Sequence, residues 1–456
     1  MKKLLLLFLI ILLLSSLTLI SCSDDNRFTV TSSDVTTVNN VTYNITYELN
    51  GGTNNENNPA TYKEGSFLEL AVPTKENYLF AGWYIDSEFT NLVTQITKYT
   101  SGNIKVYAKW IELNGNITLQ LDNGSYKVVG CNEELEYLYI PSMYNGLPVT
   151  SIGKFAFKNH GDLRYVYVPD SVTAINHSAF EKCEYLSEIR LSNNLISIDS
   201  SAFFRSGITS ITIPDKTTVL GSSVFSECEF LESVILPKSL NIIPLNTFYG
   251  CKSLKSITVD DENANYKSVD GVLYTKDGKT LVLYPAARAQ SNYQILMGTE
   301  NIDKYAFMNS SNLKGVTIPD TVKFIGSYAF GNTSIESVII PDSVATMESY
   351  VFYGCKSLKN VVLSRGLEEI GANAFKECAA LEGIIIPDNI KIIRANAFYG
   401  CNSLKSIVIP NSVAHMGDRV FNNPDIIIYC EAKSKPSYWS VVWCDRECYV
   451  VWSYKA

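Results

Sequence analysis

From about Phe157 to Phe421 the chain repeats one alternation of apolar and polar positions, and the stretch Phe375–Phe398, FKECAALEGIIIPDNIKIIRANAF, is a representative copy. The anchors are Phe157, Phe180, Phe203, Phe225, Phe248, Phe307, Phe330, Phe352, Phe375, Phe398 and Phe421. Nine of the ten intervals between them are 22 or 23 residues, and the tenth, Phe248 to Phe307, carries an insertion. An aliphatic or methionine stands five residues before each anchor, from Ile152 through Ile393 to Met416. A fixed period of this length predicts a solenoid, one supersecondary unit per turn, in which stacked turns bury a continuous core that a single turn would leave wet.

Within the unit, Leu381, Ile384 and Ile386 follow L-x-x-I-x-I, so the last two share one face of a short strand. Pro387 ends that strand because it has no N–H for the ladder, and prolines such as Pro169, Pro237 and Pro410 stand at the matching place. Asp388 and Asn389 make the turn, and Ile393, Ala397 and Phe398 return along the opposite side. Six units carry a cysteine three residues after the anchor: Cys183, Cys228, Cys251, Cys355, Cys378 and Cys401. Those units run 23 residues, apart from the one holding the insertion, whereas the two 22-residue units, starting at Phe203 and Phe330, lack the cysteine. The cysteine is therefore expected to fill a corner pocket that a tighter turn replaces, with His160 and Ser310 filling it elsewhere.

The L-x-x-I-x-I-P strand, the return Ile325-Gly326 to Ala329-Phe330 and the corner cysteine together resemble the BspA-type leucine-rich repeats of bacterial surface proteins. Asn265–Pro285 is similar to the hairpin that interrupts such arrays. The resemblance implies a curved solenoid used for adhesion or protein recognition and no enzymatic activity. The fold expected is a leucine-rich repeat solenoid, a β-strand plus a turn or short helix per 22–23 residues, preceded by a small β-grasp-like domain.

That smaller domain is expected over residues 43–111, where Tyr47–Gly52 runs as a strand into a glycine turn and Ile104–Trp110 alternates. Together with Pro73-Thr74-Lys75 and Tyr78–Tyr84 it resembles an internalin-type B repeat, suited to a stalk or spacer, whose aromatics read as core. Ahead of it, Met1-Lys2-Lys3 and apolar Leu4–Ile20 end on Leu19-Ile20-Ser21-Cys22, which resembles a bacterial lipobox. Residues 1–21 are then a lipoprotein signal peptide, Cys22 the lipid attachment site, and polar residues 22–42 a flexible tether. Residues 112–150 read as the N-terminal cap, 151–421 as the repeats with a hairpin insertion at about 260–295, and 422–456 as the C-terminal cap. Ile426–Tyr429 is expected to be the final strand.

Charge narrows the partners. The 456-residue chain carries −8, and loss of Lys2 and Lys3 takes it to −10, which argues against nucleic acid and against electrostatic adsorption to an anionic membrane. Of the eleven cysteines, Cys131, Cys430, Cys444 and Cys448 belong neither to the corner column nor to the lipid site. Disulfide, free thiol and metal readings all stay open for those four. Three histidines, all at turn or corner positions, leave little for a Ser-His-Asp or Cys-His system, and no phosphate-binding loop or dinucleotide fingerprint occurs. No cofactor, no metal and no enzymatic activity are expected.

The functional surface is sought in what the repeats leave free. The residue between the two inward aliphatics of each strand faces outward, and this column runs Tyr139, Tyr167, Arg190, Thr212, Ile235, Thr258, Thr317, Ile339, Val362, Ile385 and Val408. The column two residues earlier opens with Tyr137, Tyr165 and Glu188. A tyrosine cluster at one end and an aliphatic stripe at the other form the candidate ligand-binding face. Two functions fit: a lipid-anchored cell-surface protein, at the outer membrane or cell surface, binding a protein or glycan of another cell or matrix; or a structural spacer with no dedicated ligand.

Overall fold

The computed structural model describes residues 41–455 apart from 77, 94, 113–116, 132–133 and 446–447. The signal peptide, Cys22 and the tether up to residue 40 lie outside the described residues.

A typical repeat contributes a front strand of three or four residues and a return strand of two, as in Gly383–Ile385 and Ile392–Ile393. Both pair in parallel with the same strands of neighbouring turns, Val361 with Ile384 and Ile370 with Ile393. Turns join them, and among the described residues no helix occurs. Leu381, Ile384, Ile386, Ile393, Ala397 and Phe398 are all buried, so the two-faced pattern of the sequence is the pattern of the core. The anchor phenylalanines stack ring on ring along the axis: Phe352 to Phe375 at 5.3 Å and 6°, Phe375 to Phe398 at 5.4 Å and 2°. Phe157 through Phe248 do the same at 5.3–5.9 Å. Between turns, exposed ion pairs such as Lys255–Glu232 (2.8 Å) and Lys391–Glu368 (2.6 Å) span the surface and are worth about 0–1 kcal/mol each.

A third ladder runs through the anchors themselves. In the unit of Phe375, the N–H groups of Asn373, Phe375 and Glu377 donate to the carbonyls of Ala395, Ala397 and Tyr399 in the following turn, at 2.7–3.0 Å. All three donors point the same way along the axis, unlike a β-strand, whose N–H groups alternate sides. The backbone does this by placing residues on either side of the anchor in the left-handed region, Asn373 at φ 56° and Glu377 at φ 63°. The same pair recurs as Ser178 and Lys182, Ser201 and Arg205, and Tyr328 and Asn332. Each such non-glycine residue costs on the order of 1–3 kcal/mol, offset by the bonds it permits.

The insertion divides the interior, so the continuous core expected from stacking is not what forms. Tyr266–Val269 and Val272–Thr275 pair antiparallel through a turn at Asp270 (φ 50°) and Gly271 (φ 76°), the dihedral signs of a hairpin turn. Val272–Thr275 then becomes a partition: Leu273 packs into the core that starts at Val128, while Val272 and Tyr274 pack into the core that ends at Trp443. The two-residue alternation of a strand requires that split when a strand lies between two apolar layers. Nor is the insertion only a hairpin. Its third strand, Thr280–Leu283, joins the return ladder beside Asn301–Ile302, and Tyr284 stacks on Phe307 at 5.1 Å. Asn292–Gln294 joins the front ladder, so the segment carries one irregular repeat.

At the N-terminal end, Ile117–Asp122 and Ser125–Cys131 cover the return ladder, the second pairing in parallel with Leu147–Ile152. At the other end the structure corrects the expected close. Ile427–Cys430 is followed by one more parallel strand, Tyr449–Trp452, which the irregular loop between them conceals in the sequence. Trp439 and Trp443 are buried over the last turn, and the Trp439 indole N–H donates to the Val413 carbonyl at 3.0 Å. Cys444 and Cys448 form a disulfide, and Cys430 is a buried free thiol.

Residues 42–112 form a five-stranded sheet ordered Thr61–Lys63, Thr42–Glu48, Ile104–Glu112, Tyr78–Tyr84, Leu92–Val93, with a parallel central pair. Trp83 is buried and packs edge-on against Tyr47 and Phe80, both at 5.2 Å.

Candidate binding face

The front strands are held in register, so their outward residues form columns one strand spacing apart. Tyr139, Tyr167 and Arg190 are aligned partners, as are Tyr137, Tyr165 and Glu188. Further along, Ile339, Val362 and Ile385 align on three consecutive turns and are 67%, 55% and 83% exposed. Their inward neighbours, Val338, Val361 and Ile384, are buried, so each strand is apolar on both faces and only one face is covered.

The tyrosine end is more tightly made than the aliphatic end. Tyr139 and Tyr165 rings lie 5.7 Å apart, and the Arg190 guanidinium sits over the Tyr167 ring at 5.1 Å. Partial burial pushes Tyr165 up to about 12 and raises Tyr139 and Tyr167 as well, because the phenolate would lose water. These hydroxyls stay protonated at neutral pH and can both donate and accept. Tyr137 is the more exposed of the group. Together with Arg190 it offers rigid aromatic area, hydroxyls and one guanidinium to a partner.

Two places differ from the columns read in the sequence. Val408 is half-buried rather than open, since its register partner Tyr429 stands beside it and Tyr429 in turn packs against Tyr454 at 4.7 Å. Gln294 belongs to the column, opposite Thr317, yet sequence reasoning passes it by. The signal is present as Tyr293-Gln294-Ile295, with a buried tyrosine where an aliphatic is the rule.

The six corner cysteines are buried, and each thiol donates to the carbonyl of the preceding turn's anchor: Cys183 to Phe157 at 3.0 Å, Cys378 to Phe352 and Cys401 to Phe375 at 3.1 Å, with Cys228, Cys251 and Cys355 alike. Burial pushes Cys183, Cys228 and Cys401 up to about 12, which keeps the S–H a donor. In the short units Thr333, at the corner position, turns its hydroxyl to the carbonyl of its own anchor Phe330 (2.9 Å), which Cys355 of the next turn also reaches, and Gly207 makes the tight corner, where a Cβ would stand 2.1 Å from the Glu184 carbonyl.

Among the described residues no cluster of three or more metal-ligating side chains occurs. Cys131 Sγ lies 3.8 Å from both ring nitrogens of His160, across the ring rather than along either nitrogen's lone pair. That geometry does not make an activated thiol.

The comparison with known families bears on this face. The model of the BspA type leucine rich repeat region matches in six copies over residues 150–269 and 289–402, just over half of the chain. The chain belongs to this family. Its smaller domain matches the Listeria-Bacteroides repeat domain over residues 43–109. The BspA-type array is similar in fold to a leucine-rich repeat protein of Eubacterium ventriosum, at 21% identity and a TM-score of 0.58, covering 72% of this chain and 96% of that one. It is also similar to the pneumococcal vaccine antigen PcpA, at 21% identity and a TM-score of 0.60, covering 75% of this chain and 98% of PcpA. A provisionally named Gly-rich membrane protein of Evansella cellulosilytica is 33% identical over 106 residues, 23% of this chain, and the match spans only 12% of that longer protein. BspA-type repeats belong to bacterial surface proteins of the protein-interaction kind, and no catalytic family is among these matches. Among the described residues no helix is long and apolar enough to cross a membrane.

Proposed function

We propose that this BspA-type chain is a bacterial surface protein, lipid-anchored through Cys22, whose front ribbon recognises a protein or glycan on another cell or matrix in adhesion. One observation carries the reading: Ile339, Val362 and Ile385 stand adjacent, each more than half exposed, on a ladder whose strands are already satisfied by the core behind them. Among the described residues nothing covers these water-facing aliphatics, which align over three turns and suit burial against a partner. The tyrosine cluster with Arg190 supplies amphipathic contacts at the other end of the same ribbon. The smaller domain and the tether hold the ribbon away from the membrane.

The test is saturable binding of the purified chain to host cells or extracellular matrix, with competition against bacteria that display it. Ile339→Asp with Ile385→Asp should lower affinity by about tenfold or more while leaving thermal unfolding unchanged, since both side chains face water. Undiminished binding by the double variant would remove the stripe from the site. A chain that binds no cell or matrix saturably is a spacer.

A further inference from the structure

The seam between the two cores carries a feature that the front ribbon does not explain. The phenylalanine stack ends at Phe248 and begins again at Tyr284 on Phe307, on the far side of the insertion. Phe248 is accordingly 6% exposed, where the other anchors are at 0–1%. In front of it opens an apolar cleft of about 40 Å³, walled by Leu245, Phe248, Tyr249, Tyr305 and Met308. Tyr249 and Tyr305, both in its wall, meet edge-on at 5.0 Å, and Tyr328 and Tyr350 continue the row of tyrosines along the following turns, stacked at 4.5 Å. Leu245 is 59% exposed, so the cleft's apolar lip reaches solvent.

Charge and size together select an occupant. Lys304 is the one charged residue in the lining, its ammonium lies over the Tyr305 ring at 4.7 Å, and it makes no ion pair among the described residues. Inter-turn lysines elsewhere on the array do find carboxylates, such as Lys279 and Lys323 on Glu300. An aromatic ring needs a cavity of about 150 Å³, so this cleft fits only the tip of a short branched aliphatic side chain. We infer that the seam cleft is a second docking site, taking a valine-sized anchor of an extended partner peptide whose adjacent carboxylate pairs with Lys304. The surrounding tyrosines then exclude water from that pair, as the rim of a hot spot does.

The experiment selects phage-displayed random peptides on the full chain and measures the enriched peptides by fluorescence anisotropy. Enriched peptides should share a small branched aliphatic beside an aspartate, glutamate or C-terminal carboxylate. Lys304→Glu and Leu245→Asp should each raise Kd by about tenfold or more, and replacing the peptide's carboxylate by an amide should weaken binding to the native chain but strengthen it to Lys304→Glu, where it removes a like-charge repulsion. The Ile339→Asp, Ile385→Asp ribbon variant should bind these peptides as the native chain does, which separates this site from the adhesive face. Enrichment of nothing above a protein-free support, enrichment without the aliphatic–acid pair, or a Kd indifferent to Lys304→Glu overturns the inference. Thermal unfolding of both cleft variants close to that of the native chain excludes misfolding as the cause.

Discussion

Replacing Phe375 by alanine should damage one half of the solenoid and spare the other. Phe375 is fully buried between the rings of Phe352 (5.3 Å) and Phe398 (5.4 Å), with Ala374 and Cys378 around it. Truncating a buried phenylalanine costs about 3–5 kcal/mol, and the two lost ring contacts, about 0.5–1.5 kcal/mol each, place this site toward the upper end. In a stack where each turn touches only its neighbours, that loss is felt locally. Phe375 belongs to the core running from Val272 to Trp443, which the Val272–Thr275 strand separates from the core running from Val128 to Leu273. Hydrogen exchange read by mass spectrometry should therefore show backbone amides of residues 300–430 exchanging on the order of a hundredfold to a few thousandfold faster under conditions of global opening, at 1.4 kcal/mol per factor of ten. Amides of residues 150–250 should change by less than about threefold. Phe180→Ala should invert the pattern. Equal loss of protection in both halves from either variant would show that the seam transmits opening, and would refute the partition.

Gly221→Ala should destabilise by about 1–3 kcal/mol in chemical denaturation, since the new Cβ would stand 2.1 Å from the Ser200 backbone nitrogen, which cannot swing away. Asn396→Val should lower stability by about 1–2 kcal/mol because a β-branched residue resists φ 56°, whereas Asn396→Gly should be close to neutral. The thiols of Cys183, Cys228 and Cys401 sit at about 12 when folded against an ordinary value near 9, so the contribution of these three is intact below pH 9 and is lost as pH climbs from 9 toward 12. The melting temperature should fall over that window and fall less in Cys183→Ala, Cys228→Ala or Cys401→Ala. At neutral pH iodoacetamide should leave the six corner cysteines unmodified in the native chain and label them on unfolding, as peptide mass spectrometry would show.

The parts legible in the sequence are those where one residue type answers one physical demand. Phe, the aliphatic five residues before it, and Ala before Phe398 recur because the same buried volume recurs at each turn. The left-handed residues beside each anchor were not legible: the position two before it is Ser178, Tyr305, Asn373 or Arg419, which share a dihedral and no chemistry. The ladder they create is backbone-specified, so composition is silent about it. Gln294 was missed because Tyr293 replaces the usual aliphatic, the layer beside the partition being wide enough for a ring whose hydroxyl meets that of Tyr274 at 2.7 Å. The strand Tyr449–Trp452 was missed because its interval from Ile427–Cys430 breaks the period. On the candidate face, the outward column followed from strand alternation alone, but the covering of Val408 depended on Tyr454 folding back, a tertiary fact.

The one-way donation through the anchor ladder makes the array a polar polymer. Turns such as those of Phe157, Phe180, Phe203, Phe307, Phe352 and Phe375 each send three N–H groups forward to three carbonyls of the next, so the two ends of a run of turns are chemically unlike, and the closing segment must bring acceptors, as the Val442 and Trp443 carbonyls do for Arg419 and Val420. A gene that grows by internal duplication can then lengthen this protein only in whole copies laid down in a single orientation. A fractional copy would strand donors against carbon, and an inverted one would set like poles face to face.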